Sequence, residues 1–333
     1  MDIFFLTIII FIFNLILFLK FDLISSFFDF LDKPDGKLKR HSKPISLIGG
    51  FIILINLYLI IFFLKLLDID NSVFDDNFIY AFILLSTLFY SIGLVDDLKN
   101  LSPNKKLFFL FISIIVVIYY FPDINLEHIK ISFFKNNYYF KYSEIFLVLS
   151  FVLLANAMNM FDGINLQLIL YSSFLFILFA LNGFMSIFFI LLLICFIFLA
   201  ILNYKNKVFL GDGGAYLISV IVGCTFIYQY NNFENYFFGD EVFIILIIPA
   251  IDMLRLFLTR IIKKKHPFKG DLNHLHHIVN NFTNNETLTI LITITLSIIP
   301  TLFLMLNIHT YIILILSIII YFSLILYLRF KVK

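Results

Sequence analysis

Tryptophan is absent from this chain of 333 residues, and cysteine occurs twice. Charge is scarce: 14% of residues are Asp, Glu, Lys or Arg, against roughly 25% in an ordinary soluble domain. Each shortage excludes something. Cys195 and Cys224 both lie inside apolar runs, which excludes a disulfide framework and leaves them as small core residues. The lack of charge, with 62% hydrophobic residues and a mean hydropathy of +1.02, excludes a soluble globular domain. A polytopic membrane protein remains. Missing tryptophan beside abundant Phe, Ile, Asn and Lys matches a base-composition bias of the genome, so aromatic stripes carry little weight. The net charge of +2 is uninformative, because what matters is where the charges lie.

What is present is a series of apolar runs near the ~20 residues that a bilayer requires. Eleven are expected to span: 3–19, 47–67, 78–95, 107–121, 145–157, 166–181, 184–202, 216–230, 242–258, 287–306 and 311–328. An alternative count of ten merges the pair separated only by Asn182-Gly183. The first run has Asp2 where a signal peptide has basic residues, and no small-residue cleavage site follows, so a retained helix is expected. Neither an internal repeat nor a soluble segment is apparent, and residues 1–333 read as one all-α domain. Alternate connections (20–46, 96–106, 203–214, 255–286 and 329–333) collect 20 of the 24 Lys and Arg residues. Such an excess marks cytoplasmic loops. The N-terminus is therefore expected outside and the C-terminus in the cytoplasm. The outer connection 122–144 alternates apolar and polar residues, as in "IKISFF", and predicts a small hairpin.

Four polar clusters interrupt the apolar pattern, all on the side assigned to the cytoplasm. "GLVDDLKNLSPNKKL" places Asp96 and Asp97 at a helix end and Lys105 and Lys106 after a Ser-Pro turn. A solvated loop is the plain reading; adjacent carboxylates that organise a metal or proton, with lysines for phosphate, is the chemical one. "NAMNMFDGIN" spaces Asn156, Asn159 and Gly163 along one helix face, with Asp162 at its edge. Polar groups ending an apolar helix need a ligand or a wet cavity, unless they merely cap it. "FLGDGGAY" sets Asp212 among Gly211, Gly213 and Gly214 just before a span; an N-cap accounts for the aspartate but not for the glycines. "GDLNHLHH" gathers His274, His276 and His277, and on a helix His276 would point away from the other two. Zinc is the alternative there, but no cysteine is at hand and the nearby oxygen donors suit Mg²⁺ or Mn²⁺. Two weaker features are Pro249, which predicts a kink that carries Asp252 and Arg255 towards the cytoplasmic face unless they form a simple i,i+3 pair, and the basic entry loop "KRHSKPISLIGG".

In this order, Gly49-Gly50, "DDLKNLSPNKKL", "NAMNMFDGIN", "FLGDGG" and "HLHH" resemble the motifs of the polyprenyl-phosphate N-acetylhexosamine-1-phosphate transferases, glycosyltransferase family 4. The match runs from about residue 32 to 277, and "HLHH" is similar to the branch that uses simple UDP-N-acetylhexosamines. Departures are Asn165 for a common Asp, Leu166-Gln167 for the usual Gly-Leu, and Ala215 for Ser. The first group lies where the nucleotide-sugar pocket is expected.

The resemblance implies a bacterial inner-membrane enzyme acting at the cytoplasmic face: polyprenyl phosphate and UDP-N-acetylhexosamine give polyprenyl-diphospho-sugar and UMP, the start of a cell-surface glycan. It implies Mg²⁺, or Mn²⁺, held by Asp212 and Asn159. Asp96 and Asp97 are the expected catalytic pair, orienting the lipid phosphate or accepting its proton. Lys106, Asn156, Asp162, His274, His276 and His277 are expected to bind substrate. No nucleic-acid partner is implied, and a homodimer is compatible with the pattern. The alternatives are an ion- or proton-coupled transporter using Asp96, Asp97 and Asp252, and a relative that has lost its activity.

Overall fold

In a bilayer every backbone N–H and C=O must be satisfied within the chain, so apolar runs of this length fold as helices. The computed structural model is 79% helical, an all-α polytopic membrane protein. The structure describes residues 2–28, 30–32, 43–69, 76–126, 128–134, 138–139, 142–183, 185–233, 237–267 and 271–331. Residues 39–42 of the basic entry loop, Lys135, Lys141 and Gly270 lie outside these. In chain order the helices are α1 (Asp2–Leu19), α2 (Phe21–Phe27), α3 (Gly49–Leu66), α4 (Asp76–Lys99), α5 (Pro103–Tyr120), α6 (Ser143–Phe161) and α7 (Gln167–Leu181). They continue as α8 (Ser186–Tyr204), α9 (Gly211–Asn232), α10 (Gly239–Ile245), α11 (Ile247–Ile262), α12 (Leu275–Thr283), α13 (Glu286–Met305) and α14 (Thr310–Lys331).

Among the described residues eight helices, α3 to α6, α8, α9, α13 and α14, are long and apolar enough to cross a membrane. Two bent pairs, α1 with α2 at 74° and α10 with α11 at 81°, raise the number to ten. All eleven expected runs are helices. The difference in count comes from α7, whose 15 residues reach only about 22 Å at 1.5 Å per residue, short of the ~30 Å hydrocarbon core.

The chain divides into two compact units. The first comprises Met1–Asp123 and Ser172–Val222. Here α3 packs on α1, α4 and α8, and α4 packs on α5. Asn14 of α1 and Asn56 of α3 are buried and exchange amide hydrogen bonds of 2.7 and 3.1 Å, a polar tie between helices where water is absent. A short antiparallel pair, β1 (Leu31–Asp32) with β2 (Ile45–Ser46), leads into α3.

The second unit comprises Ile124–Tyr171 and Gly223–Lys333. α11 packs on α6, α13 and α14, and α12 lies on α13 and α14. The expected hairpin is present: β3 (His128–Ile129) pairs antiparallel with β4 (Tyr138–Tyr139). Asp240 pins the segment between them, accepting from Ser132 N–H at 2.9 Å and Ser132 Oγ at 2.5 Å. The expected kink is present too, and its chemistry is specific. The helix breaks at Leu246, three residues before Pro249, which therefore sits in the first turn of α11. Pro249 has no N–H for the carbonyl of Ile245, four residues back. The Tyr171 hydroxyl donates to that carbonyl at 2.7 Å instead.

Candidate active site

In the first unit, three chain segments converge at glycines. The N–H groups of Gly49 and Gly50, opening α3, donate to the carbonyls of Phe209 and Leu210 at 3.1 and 3.2 Å, and Phe209 N–H donates to Ser46 at 2.8 Å. This lays the start of α3 beside the start of α9. Gly93, near the end of α4, faces Gly213 so closely that a Cβ there would stand 2.4 Å from its backbone N and Cα. Gly211 has a φ of +70°, the left-handed region that favours glycine. "FLGDGG" is thus a helix start against which two other backbones close.

That approach delivers the paired aspartates of α4 to the N-terminus of α9. Asp97 accepts from Asp212 N–H at 2.9 Å and Gly213 N–H at 3.2 Å, a carboxylate on the first free N–H groups of the helix. Asp96 is buried and turned differently: Oδ1 accepts Leu101 N–H at 2.7 Å, and Oδ2 is ion-paired with Lys106 of α5. The Lys106 ammonium also meets Asp212 Oδ2 at 3.2 Å. Lys105, on the far side of the same turn, is exposed. Asp96, Asp97, Lys106 and Asp212 therefore form one cluster: three carboxylates, one ammonium and a formal charge of −2.

The second unit builds a separate polar cluster. His274 is the N-cap residue of α12, in extended conformation, and this alters the expected directions of the three rings. His276 does not point away: its centroid lies 5.4 Å from that of His274 and 4.2 Å from that of His277. Both His274 and His276 are buried. The loop before α12 is pinned by α11. Asp252 Oδ2 accepts Leu275 N–H at 3.2 Å and lies 3.6 Å from His274 Nδ1. Arg255 donates to Asp252 Oδ1 and to the Asn273 carbonyl, at 2.7 and 2.6 Å. From α14, the Tyr321 hydroxyl donates to Asp252 Oδ1 at 2.5 Å and accepts from Arg255 Nε at 2.7 Å. Arg260 donates to Asp271 Oδ2 at 2.9 Å and to the Pro267 carbonyl at 2.7 Å. Burial pushes the Asp271 carboxyl up, but the Arg260 guanidinium, the Asn273 N–H and the neighbouring charges outweigh it and hold the group below the usual range. So Asp252 and Arg255 form both the i,i+3 pair and the support of the histidine loop.

The asparagine segment belongs to this second unit. Asn156 donates to Val152 O of its own helix at 2.7 Å. Asn159 lies in the last turn of α6, and Asp162 is its C-cap residue. The helix stops at Phe161, so Gly163 is not on the asparagine face. Gly163 instead abuts the histidines: a Cβ there would stand 1.9 Å from His276 Nε2. Sequence spacing thus located the residues of both clusters but missed Arg260, Asp271 and Tyr321. The Asp-Arg pairs had a signal, being buried charges in an apolar chain; Tyr321 had none, as one tyrosine among 17.

Residues 79–230, which hold both aspartate elements and the asparagine segment, match the model of glycosyl transferase family 4. That stretch is similar to glycosyl transferase family 4. The chain is 27% identical over 279 residues to an undecaprenyl-phosphate alpha-N-acetylglucosaminyl 1-phosphate transferase of Thermotoga maritima, covering 80% of this chain and 79% of the relative. A protein of the same description from Salmonella typhi is 30% identical over 95 residues, 28% of this chain and 26% of the relative. The histidine triplet lies beyond the matched residues 79–230.

Proposed function

We propose that this protein transfers an N-acetylhexosamine 1-phosphate unit from a UDP-sugar to polyprenyl phosphate, releasing UMP, as a single transferase domain of the bacterial inner membrane. The observation that carries the reading is the Asp96–Lys106–Asp212 cluster at the glycine-lined start of α9, within the family-matched region. A helix N-terminus and a lysine are phosphate-binding features. The names of the relatives supply the acceptor and the sugar class.

In the proposed reaction an oxygen of the lipid phosphate attacks the phosphorus that bears the sugar. The bond from that phosphorus to the bridging oxygen breaks, and UMP departs with the electron pair. A phosphate monoester with a second pKa near 6 is largely dianionic at pH 7, so little proton removal is asked of the protein. Asp96 orients the attacking phosphate and accepts a residual proton. Asp97, with both oxygens on backbone N–H groups, serves by holding the glycine turn in place. Lys106 meets phosphate oxygens, and Asn156, Asp162, His274, His276 and His277 bind the donor.

Among the described residues no group of three or more His, Cys, Asp or Glu side chains is arranged to hold a metal. However, Asp96 and Asp212 already converge on one cation, the Lys106 ammonium, and the cluster completed by Asp97 carries a formal charge of −2. Mg²⁺ is usually held by one or two carboxylates plus substrate phosphates and water, and that donor type fits. Asp212, with Asn159 as a second assignment, would hold the ion. When bound, Mg²⁺ neutralises the diphosphate oxygens and eases departure of UMP.

The test is incubation of membranes containing the protein with polyprenyl phosphate, Mg²⁺ and a panel of UDP-sugars, with UMP release as the readout. Release with a UDP-N-acetylhexosamine is the expected result. Absence of release with every sugar would overturn the reading in favour of transport or an inactive relative.

A further inference from the structure

The segment that departs from the family pattern, Leu166-Gln167, has two costs in adjacent residues. Leu166 has a φ of +67°, a conformation that favours glycine. Gln167 opens α7 and is fully buried, at 0% exposure. Among the described residues, neither its amide nitrogen nor its amide oxygen has a hydrogen-bond partner. A leucine here would fill similar volume without leaving a buried donor and acceptor unpaired. The protein therefore carries a strained leucine to place a carboxamide where nothing of its own completes it. Strain of this kind concentrates at ligand clamps.

Its location says which ligand. The turn from Asp162 to Gln167 carries Gly163, which is exposed and whose missing Cβ accommodates the His276 ring. Residues 164–166 are half-buried, so Gln167 directly follows in the chain an accessible turn whose Gly163 meets the histidine cluster. A carboxamide offers one donor and one acceptor side by side, and its complement is a second amide. We propose that Gln167 is a specificity-determining residue that pairs with an amide group of the sugar-nucleotide donor. This rests on the donor reading above. Two parts of such a donor carry the chemistry: the imide edge of uracil, which presents donor and acceptor side by side, and the trans acetamido group of the sugar, which meets the carboxamide through one hydrogen bond at a time.

The experiment compares purified wild-type protein with Gln167→Leu, using Gln229→Leu as a control. Gln229 is also buried with both amide atoms unpartnered, but lies at the end of α9 remote in sequence from Asp212 and the histidines. Measured are kcat/KM for UMP release from UDP-N-acetylglucosamine and UDP-glucose, for CMP release from CDP-N-acetylglucosamine, and the rise in unfolding midpoint caused by UDP-N-acetylglucosamine. Expected is a loss of discrimination of about tenfold or more in Gln167→Leu alone. A loss confined to the glucose comparison assigns the acetamido group; one confined to the cytidine comparison assigns uracil. Unchanged ratios in an active Gln167→Leu protein would overturn the proposal and leave the transferase reading standing. Should wild-type turn nothing over, the midpoint shift decides: its loss in Gln167→Leu supports the contact, and an equal shift in both refutes it. If wild-type shows neither turnover nor shift, the donor reading itself fails, and the pairing with it.

Discussion

Asp96 and Asp97 are neighbours in sequence with different employment. Asp97 spends both oxygens on backbone N–H groups of α9, whereas Asp96 shares a lysine with Asp212. Different outcomes follow for substitutions of one atom. Asp212→Asn is expected to lower UMP release by 100-fold or more while the unfolding midpoint stays close to wild type, since only charge is removed from a half-buried group. Full activity would end its assignment to the metal. Asp97→Asn would place an N–H₂ against backbone donors, costing about 1–3 kcal/mol; its midpoint in detergent should fall, and an unchanged midpoint would show that the two backbone bonds are dispensable. The sequence made the pair conspicuous, because charge is rare here. It could not divide the labour, because helical periodicity does not say which of two adjacent carboxylates a distant glycine turn will meet.

Among the elements, α11 is the one whose shape follows from a single residue and whose position does not. Pro249 removes the N–H that would have reached Ile245, and Tyr171, 74 residues away along the chain, supplies the replacement donor. Tyr171→Phe should leave that carbonyl unpaired in an apolar surrounding and lower stability by about 1–3 kcal/mol, measurable by thermal unfolding. Stability equal to wild type would indicate that the broken helix satisfies the carbonyl by itself. The same helix supports the histidine loop through Asp252, Arg255 and Arg260, and α14 contributes Tyr321. Tyr321→Phe is expected to raise the KM for the UDP-sugar several-fold with a smaller change in kcat, because it loosens the loop without touching reacting atoms; an unchanged KM would remove Tyr321 from the positioning set. The Asp271–Arg260 tie is insensitive to pH near neutrality. The folded-state value of Asp271 lies below the usual ~3.9, so its contribution is fully present above that value and is lost only as pH falls through the lower one.

At the scale of the whole molecule, the distribution of lysine and arginine makes a claim that can be checked without an activity assay. Cys195 and Cys224 are buried, so the native protein offers little background to a thiol reagent. A cysteine introduced at Ser102 or Lys264 should be labelled only after the cytoplasm is opened, and one at Tyr142 in intact cells; all three residues lie outside the helices. Labelling of Ser102→Cys from outside would invert the proposed orientation. The sequence by itself determined the membrane class, the helical nature of every apolar run, the hairpin within 122–144 and the identity of the polar clusters. These follow from composition and local spacing, since a chain in lipid has few ways to satisfy its backbone. Tertiary structure alone decided that Gly93 backs onto Gly213, that Tyr171 caps a broken helix, that three histidine rings gather around an extended N-cap, and that Gln167 is buried without a partner. Those are contacts between residues far apart in the chain or settled by a single backbone torsion, and periodicity carries no information about either.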